Sequence, residues 1–127
     1  MKRFSDEHAW VDVAEGTATT GITAYAAEEL GDINFVELPD VGSVLAQGEL
    51  LCVVESVKAA SDVFAPVGGT VVAVNKRLDT EPQLINDGAE KDGWICRLEE
   101  VDESELDGLM TEEEYELFVA GDDEDGA

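Results

Sequence analysis

Short apolar stretches, each separated from the next by turn-forming residues, constrain the fold of this chain more than any other feature of its sequence. They are rich in the β-branched and aromatic residues that suit a half-buried strand. The stretches lie at Trp10–Val13, Thr17–Thr20, Ile33–Leu38, Leu50–Val54, Val63–Ala65, Thr70–Val74 and Trp94–Leu98. Glycine, proline and aspartate between them mark the turns. Short strands with turns at this spacing predict an all-β sandwich or barrel.

Two helices are predicted to flank these strands. Thr23 can cap the amino end of Ala24–Leu30, whose alanines favour a helix, and Gly31 is placed to end it in the left-handed conformation. Thr111 and Glu114 have the spacing of a capping box, which predicts that a C-terminal helix begins there. Its apolar stripe is expected to pack on its own domain and consists of Tyr115, Phe118 and Val119, extended by Leu106 and Leu109.

The length of 127 residues suits a single domain. We place that domain at residues 1–120. The remaining residues, 121–127, are almost all acidic or glycine, and their like charges predict a disordered tail.

The charge of the chain excludes one class of partner. Thirty-one acidic and seven basic residues give a net charge of −24, which repels phosphate backbones, so nucleic acid is not expected to bind. The acidity leaves three interpretations open: solubility, adaptation to high salt, and steering toward partners with basic surfaces. No apolar run reaches the roughly 20 residues of a membrane span, and the amino terminus lacks the pattern of a signal or transit peptide. We therefore expect a cytoplasmic bacterial protein.

Self-contained catalysis and metal binding find no support in the residues. The chain has one histidine, His8, and lacks a nucleophile motif, a glycine-rich phosphate loop and a cluster of metal ligands. Cys52 and Cys96 are 44 positions apart on predicted strands and are expected to be buried, unpaired thiols. We predict that the chain is not an enzyme, with no catalytic residue and no metal.

Lys58 is the residue that most strongly indicates a function. It lies in the polar run Glu55–Asp62 between two predicted strands, so the chain must turn there and display the lysine. A Schiff-base lysine usually needs a desolvated pocket, whereas a tip flanked by acidic residues stays exposed. Covalent modification of Lys58 by another enzyme is the interpretation that we favour.

The run Glu55-Ser56-Val57-Lys58-Ala59-Ala60-Ser61-Asp62 resembles the lipoylation segment of the glycine cleavage system H protein family. Similar residues of that family match other segments of this chain, which together extend the resemblance over about positions 7 to 118. These segments are His8-x-Trp10-Val11, Thr20-Gly21-Ile22-Thr23, Phe35-Val36-Glu37-Leu38-Pro39, Val74-Asn75, Pro82-x-Leu84-Ile85-Asn86 and Gly93-Trp94. The resemblance implies a mainly β fold: a flattened barrel-sandwich hybrid of the lipoyl and biotinyl carrier type, with short flanking helices and a C-terminal helix.

The resemblance also implies a cofactor and its partners. Lipoate would be joined to Lys58 as an amide by a lipoate ligase or lipoyl transferase that recognises Glu55, Ser56, Val57, Ala59 and Asp62. The decarboxylating glycine dehydrogenase would load the aminomethyl group of glycine onto the arm, and an aminomethyltransferase would remove it. Dihydrolipoamide dehydrogenase would then reoxidise the arm. The carrier itself is expected to be a monomer.

One position departs from the family pattern. The family usually has an acidic residue between the histidine and the tryptophan near the amino terminus, where this chain has Ala9. In the family the loaded arm folds into a protective cleft, and His8 and Asp62 are the cleft residues that the resemblance implies here. Whether Glu7 compensates for Ala9 stays open at this point, and His8 itself is expected to pack or hydrogen-bond beside Trp10.

Four other functions compete with this one. A biotin carrier resembles Met-Lys-Met at the tip, whereas Val57 and Ala59 flank the lysine here. A lipoyl domain of a 2-oxo acid dehydrogenase resembles Asp-Lys-Ala and continues into further domains. An H-like lipoyl donor in a lipoate-transfer relay remains open. An unmodified interaction domain, whose lysine only forms exposed ion pairs, is disfavoured because such pairs contribute little.

Overall fold

Nine β-strands in two antiparallel sheets form the framework of the computed structural model, which describes residues 1–126, with side chains described for residues 1–121. The strands are β1 (Lys2–Phe4), β2 (Ala9–Ala14), β3 (Thr17–Ile22), β4 (Ile33–Glu37), β5 (Val44–Leu45), β6 (Leu50–Ser56), β7 (Ala60–Phe64), β8 (Gly69–Val74) and β9 (Cys96–Glu99). The helices are α1 (Ala24–Leu30), α2 (Leu84–Gly88) and α3 (Glu112–Gly126), with 3₁₀ turns at Lys76–Asp79 and Glu103–Gly108. The large sheet has the order β1-β2-β3-β9-β8-β5, and the small sheet has the order β4-β6-β7.

The main hydrophobic core lies between the two sheets. Alternate residues of the large sheet, such as Val11, Val71 and Leu98, are fully buried, and Val36 and Val54 of the small sheet are buried against the same core. This alternation follows from the strand period of two, which sends successive side chains to opposite faces. The predicted mainly β, two-sheet fold with short helices is therefore confirmed, and the small sheet carries the lysine hairpin on one side of the core.

The opening hairpin shows how local sequence directs this fold. The predicted strands occur at β2 and β3, with Ala14 paired to Thr17. The two residues between them, Glu15 and Gly16, have φ values of 53° and 82°. Positive φ at both central residues is what a two-residue turn of type I′ requires, and this turn matches the twist of the strands.

Helix α1 begins where the sequence predicts, but its end differs from the prediction. The Thr23 side chain accepts a hydrogen bond from the Ala26 amide at 3.1 Å and so caps the helix. Gly31 ends the helix with φ 79° and ψ −154°, rather than in the predicted left-handed helical conformation. This region of backbone space is nearly exclusive to glycine, so the requirement for Gly31 holds for a different reason.

Several boundaries differ from the predictions. The hairpin strands extend closer to Lys58 than predicted, since β6 runs to Ser56 and β7 begins at Ala60. The last strand begins at Cys96, because Trp94 belongs to a turn in which its amide donates to the Lys91 carbonyl at 3.2 Å. The polar excursion predicted after Asn75 contains the first 3₁₀ turn and helix α2.

The C-terminal helix packs on the large sheet through its first turns. The capping box is confirmed: the Thr111 amide donates to Glu114 Oε1 at 2.9 Å, and the Glu114 amide donates to Thr111 Oγ1 at 3.2 Å. These bonds lower the pKa of the Glu114 carboxyl. Tyr115 is buried in a second cluster with Phe4 and Trp10, and its ring stacks on Phe4 with a centroid separation of 4.8 Å. The predicted disorder of residues 121–127 falls almost entirely on residues outside the described side chains and stays a prediction.

Both cysteines are buried and free, as predicted. Among the described residues, no helix is long and apolar enough to cross a bilayer. Within the same part of the chain, no group of three or more histidine, cysteine, aspartate or glutamate side chains is arranged to hold a metal ion.

Candidate functional site

The tip between β6 and β7 is shaped by Ser56. Its amide donates to the Ala59 carbonyl at 2.8 Å, which closes the turn. Its hydroxyl oxygen accepts from the amides of Ala59 at 3.1 Å and Lys58 at 3.3 Å. A small hydroxyl residue that bonds to amides two and three positions later is a recognised turn former. The tip that presents Lys58 is therefore an ordered turn.

A second set of contacts joins this tip to the end of helix α1. The Val57 amide donates to the Asp32 carbonyl at 3.1 Å. The Lys58 side chain lies over Gly31, where an added methyl group would stand 3.5 Å from Cε and 3.9 Å from Nζ. The aliphatic part of Lys58 thus runs beside the carboxyl end of α1, toward the side of the molecule that this helix covers.

The Lys58 amino group is open to reaction. Lys58 is exposed, and within the described part of the chain its Nζ forms no hydrogen bond or ion pair. The next two residues, Ala59 and Ala60, are also exposed and add little bulk. Acylation of this nitrogen would break no existing contact, so the geometry fits a lysine that carries an amide-linked group.

A cleft of about 300 Å³ lies between α1 and β7, next to the hairpin. It is lined by Glu7, His8, Ile22, Tyr25, Ala26, Glu29, Leu30, Ser61, Asp62 and Val63. The lining combines an apolar wall with carboxylates at its edge. This volume is at the small end of ligand-binding cavities, and the combination suits an aliphatic chain that ends in a cation.

The structure brings together the two cleft residues that the sequence predicts. His8 and Asp62, 54 positions apart in the sequence, both line the cleft, and Glu7 joins them there. Ala9 does not line the cleft, and only 1% of its surface is exposed. Its amide donates to Ser5 Oγ at 3.1 Å, which fixes the loop that presents Glu7. Of the two carboxylates in this loop, Asp6 and Glu7, Glu7 is the one that lines the cleft.

His8 connects the cleft to the C-terminal helix. Its backbone has a φ of 67°, which is uncommon outside glycine, and its carbonyl accepts from the Thr23 amide at 3.0 Å. Its Nδ1 lies 2.7 Å from the Tyr115 hydroxyl, which in turn lies 2.8 Å from Thr23 Oγ1. Since Thr23 caps α1, one hydroxyl on α3 connects the loop of His8 to the helix that forms one wall of the cleft. This arrangement agrees with the packing and hydrogen-bonding role predicted for His8.

The sequence also agrees with that of a known protein family. Residues 2–122 match the family described as glycine cleavage H-protein. The chain belongs to the glycine cleavage H-protein family. The resemblance that the hairpin segment indicated is therefore confirmed over nearly the whole chain.

Individual H proteins match this chain along almost their full length. The chain is 48% identical over 120 residues to the glycine cleavage system H protein of Thermotoga maritima, covering 94% of this chain and 97% of the relative. It is 54% identical over 113 residues to a probable glycine cleavage system H protein of Haloarcula marismortui, covering 89% of each. A crystal structure of the H protein from Mycobacterium marinum aligns with a TM-score of 0.81 at 34% identity, covering 90% of this chain and 92% of that one.

Several residues of this H-protein site were not singled out from the sequence as parts of the site, among them the cleft-lining Tyr25 and Glu29. Three more support the site from outside the lining. Gly31 was predicted only as a helix end, and Thr23 only as its cap. Tyr115 was placed in the apolar stripe, whereas its hydroxyl bonds to a histidine 107 positions away. The positive φ at Gly31 could be predicted from the sequence, because a glycine follows a helix-favouring run. No sequence pattern indicated the contact of Gly31 with Lys58 or the long-range hydrogen bonds of Tyr115.

Proposed function

We propose that this chain is the lipoyl-carrying shuttle of a glycine cleavage system, with lipoate in amide linkage to Lys58. The single observation that carries the proposal is the position of Lys58: exposed, free of side-chain partners in the described residues, and at the tip of an ordered hairpin beside a cleft. Membership of the H-protein family supports the same assignment. The chain then acts as a carrier, rather than as an enzyme, in the cytoplasm.

Attachment would be carried out by a lipoate ligase or lipoyl transferase. The Lys58 nitrogen attacks the carbonyl carbon of an activated lipoyl group, the leaving group departs, and the nitrogen loses protons to become a neutral amide. Recognition would rest on the segment around the tip, namely Glu55, Ser56, Val57, Ala59 and Asp62. Ser56 contributes by holding the turn, because its hydroxyl accepts the amides that follow it.

The bound lipoyl group supplies a cyclic disulfide that can be opened, loaded and reclosed, so the reactive chemistry belongs to the cofactor. The role of the protein would be to bind and orient the arm. Lys58 would direct the arm along the end of α1, and the apolar residues of the cleft would cover its aliphatic part. The carboxylates of Glu7 and Asp62, which line the cleft together with His8, would pair with a cationic amine at the end of the arm. Shielding of the cargo from water follows from this placement.

In the proposed cycle, the carrier moves the aminomethyl group of glycine from the decarboxylating glycine dehydrogenase to the aminomethyltransferase. Dihydrolipoamide dehydrogenase then reoxidises the arm. A tether confined to one origin raises the effective concentration of its cargo at each docked enzyme, which would let one small carrier serve several active sites.

The experiment uses protein isolated from its native host grown with lipoate. Peptide mapping by mass spectrometry is expected to show the lipoyl mass on Lys58 and its absence in Lys58→Arg. Lys91→Arg, at another exposed lysine, is the matched control and should leave lipoylation intact. The lipoylated wild type should support glycine exchange with the decarboxylating enzyme.

Two results would count against the assignment. Unmodified Lys58 in the native protein would overturn the carrier function itself. Lipoylated protein that supports no glycine exchange, but passes its lipoyl group to another apoprotein, would replace the shuttle by the lipoate-transfer relay.

A further inference from the structure

The small sheet, which includes the two strands of the lysine hairpin, has one face on the core and an outer face that points away from it. Residues paired across neighbouring strands point to the same face, so the register shows which side chains share it. Two rows result: Phe35, Glu55 and Ala60 in the first, and Glu37, Val53 and Asp62 in the second. Residues Val36 and Val54, which alternate with these, face the core. We name the two rows, together with Val57 at the tip, the hairpin face.

The hairpin face exposes large apolar side chains beside Lys58. Phe35 is 50% exposed and Val57 is 69% exposed. Farther along the sheet a cavity of about 190 Å³ continues the face, and Leu38, Leu50 and Val53 are the apolar part of a mixed lining. Contiguous exposed apolar surface bounded by polar groups marks interaction sites in soluble proteins.

Carboxylates border this apolar surface. Glu55 and Asp62 stand on the hairpin strands, and Glu37 and Asp40 lie at the rim of the cavity. In β4, β6, β7 and the tip that joins the last two, the sequence has a single basic residue, Lys58. Its charge is lost on acylation, so in the lipoylated protein these strands carry only negative charge. The matching surface must therefore have an apolar centre and basic groups around it.

The side of the hairpin on which the arm would lie indicates which enzyme binds to this face. The cleft that would hold the cargo amine lies on the α1 side of the hairpin, and Asp62 stands at the border between the two sides. The enzyme that loads the arm acts while the cleft is still empty, so the surface that flanks the tip outside the cleft is open to it at that step.

We propose that the hairpin face is the docking surface for the decarboxylating glycine dehydrogenase, which we infer presents an apolar side chain framed by lysine and arginine. This inference rests on the proposed shuttle function and adds to it the surface that its first partner reads. The pairing of apolar centre with charged rim is the usual anatomy of a specific interface, in which the centre carries most of the affinity and the rim steers encounter.

The experiment measures glycine exchange by the decarboxylating enzyme as a function of carrier concentration. Phe35→Thr keeps a strand-forming residue on β4, and Glu37→Lys reverses a rim charge. Their matched controls are Val72→Thr, on an exposed position of β8, and Glu116→Lys, on the exposed side of α3. All four carriers are first checked for full lipoylation by mass, which also shows that the hairpin is folded.

We expect KM for the lipoylated carrier to rise about fivefold in Phe35→Thr and about tenfold in Glu37→Lys, with kcat unchanged at saturation. The KM of wild type should also rise with ionic strength, and less so in Glu37→Lys, because a rim charge acts mainly on association. The two control variants should stay within twofold of wild type.

Unchanged KM in both face variants, in carriers that are fully lipoylated and active, would overturn the docking surface and leave the shuttle function standing. A raised KM for dihydrolipoamide dehydrogenase alone would overturn the assignment of the occupant. If wild type itself were not lipoylated, or supported no exchange, the proposed function would fail and the docking surface with it.

Discussion

The hydroxyl of Tyr115, on the C-terminal helix, lies 2.7 Å from Nδ1 of His8 on the wall of the cleft. The same hydroxyl bonds to Thr23, which is fully buried. A single oxygen on the last helix therefore connects the loop of His8 with helix α1, and both of these line the cleft. Since neither bond is local in sequence, the cleft depends on the correct docking of α3.

Tyr115→Phe is expected to destabilise the protein while preserving the ring stack on Phe4. Removal of the hydroxyl leaves His8 and Thr23 without one hydrogen-bond partner, and a lost partner at a buried polar group costs about 1–3 kcal/mol. Chemical denaturation measures the change. Phe118→Leu, at a half-exposed position of the same helix, should change the free energy of unfolding much less. Equal effects in both variants would contradict a stabilising role for the hydrogen bonds of the Tyr115 hydroxyl.

Glu7→Gln and Asp62→Asn are expected to weaken retention of the cargo amine in the cleft. Each exposed carboxylate contributes up to about 1 kcal/mol to such an ion pair, which corresponds to roughly a fivefold faster loss of the aminomethyl group from the loaded carrier. The measurement follows that loss without the aminomethyltransferase. Asp6→Asn is the control, since Asp6 neighbours Glu7 but does not line the cleft. Identical rates of loss for all three variants would show that the carboxylates of Glu7 and Asp62 do not retain the cargo amine.

Gly31→Ala is expected to lower stability through the backbone. The added methyl group meets Lys58 at 3.5 Å, which is an ordinary contact, but the φ of 79° with ψ of −154° is costly for alanine. Strain of this kind costs about 1–3 kcal/mol. Gly108→Ala is the control, because its methyl group would meet no atom within 4 Å and its φ is not positive. Thermal unfolding of both variants checks the difference.

The two buried thiols predict a loss of stability in alkaline solution. Burial raises the pKa of Cys96 from the ordinary value of 9.0 to about 12. Burial is also the largest cause that raises the pKa of Cys52, followed by the nearby Cys96 and Glu37. The unfolded chain loses these protons above pH 9 while the folded chain keeps them, so the thiols' contribution is fully present below pH 9. It then falls by roughly 1.4 kcal/mol per pH unit for each thiol until the folded pKa is reached.

Denaturation on either side of pH 9, compared between wild type and Cys52→Ala, measures this slope. A shallower slope in the variant is expected. In the folded protein at neutral pH, neither thiol should react with an aromatic disulfide reagent, whereas both should react after unfolding. Rapid labelling of the folded chain would contradict the burial of both thiols.

The features predicted correctly from sequence are those that a few neighbouring residues decide. The capping box at Thr111 and Glu114, the cap at Thr23 and the turn that displays Lys58 each depend on residues within four positions of one another. Their hydrogen bonds exist in almost any surrounding, so residue type and spacing are sufficient to predict them.

The features that were missed depend on partners far along the chain. Strand β1 is three residues long and forms because Phe4 and Met110 exchange backbone hydrogen bonds at 2.8 Å, while its other side pairs with β2. Trp94 stands outside the last strand because Asn75 donates its side-chain amide to the Asp92 and Trp94 carbonyls. The side chain at position 9 is buried instead of facing the cleft. No local sequence pattern around Ala9 indicates whether this side chain would be buried or would face the cleft.

The absence of side-chain partners for Lys58 among the described residues has a consequence for regulation. Because acylation removes no internal contact, modified and unmodified copies should fold equally well, and their surfaces differ only at the tip, where the unmodified form keeps the charge of Lys58. Unmodified copies would then occupy enzymes without delivering cargo. The modified fraction, and not the total abundance of the chain, would set the flux through the system, and overproduction without matching lipoylation would be inhibitory.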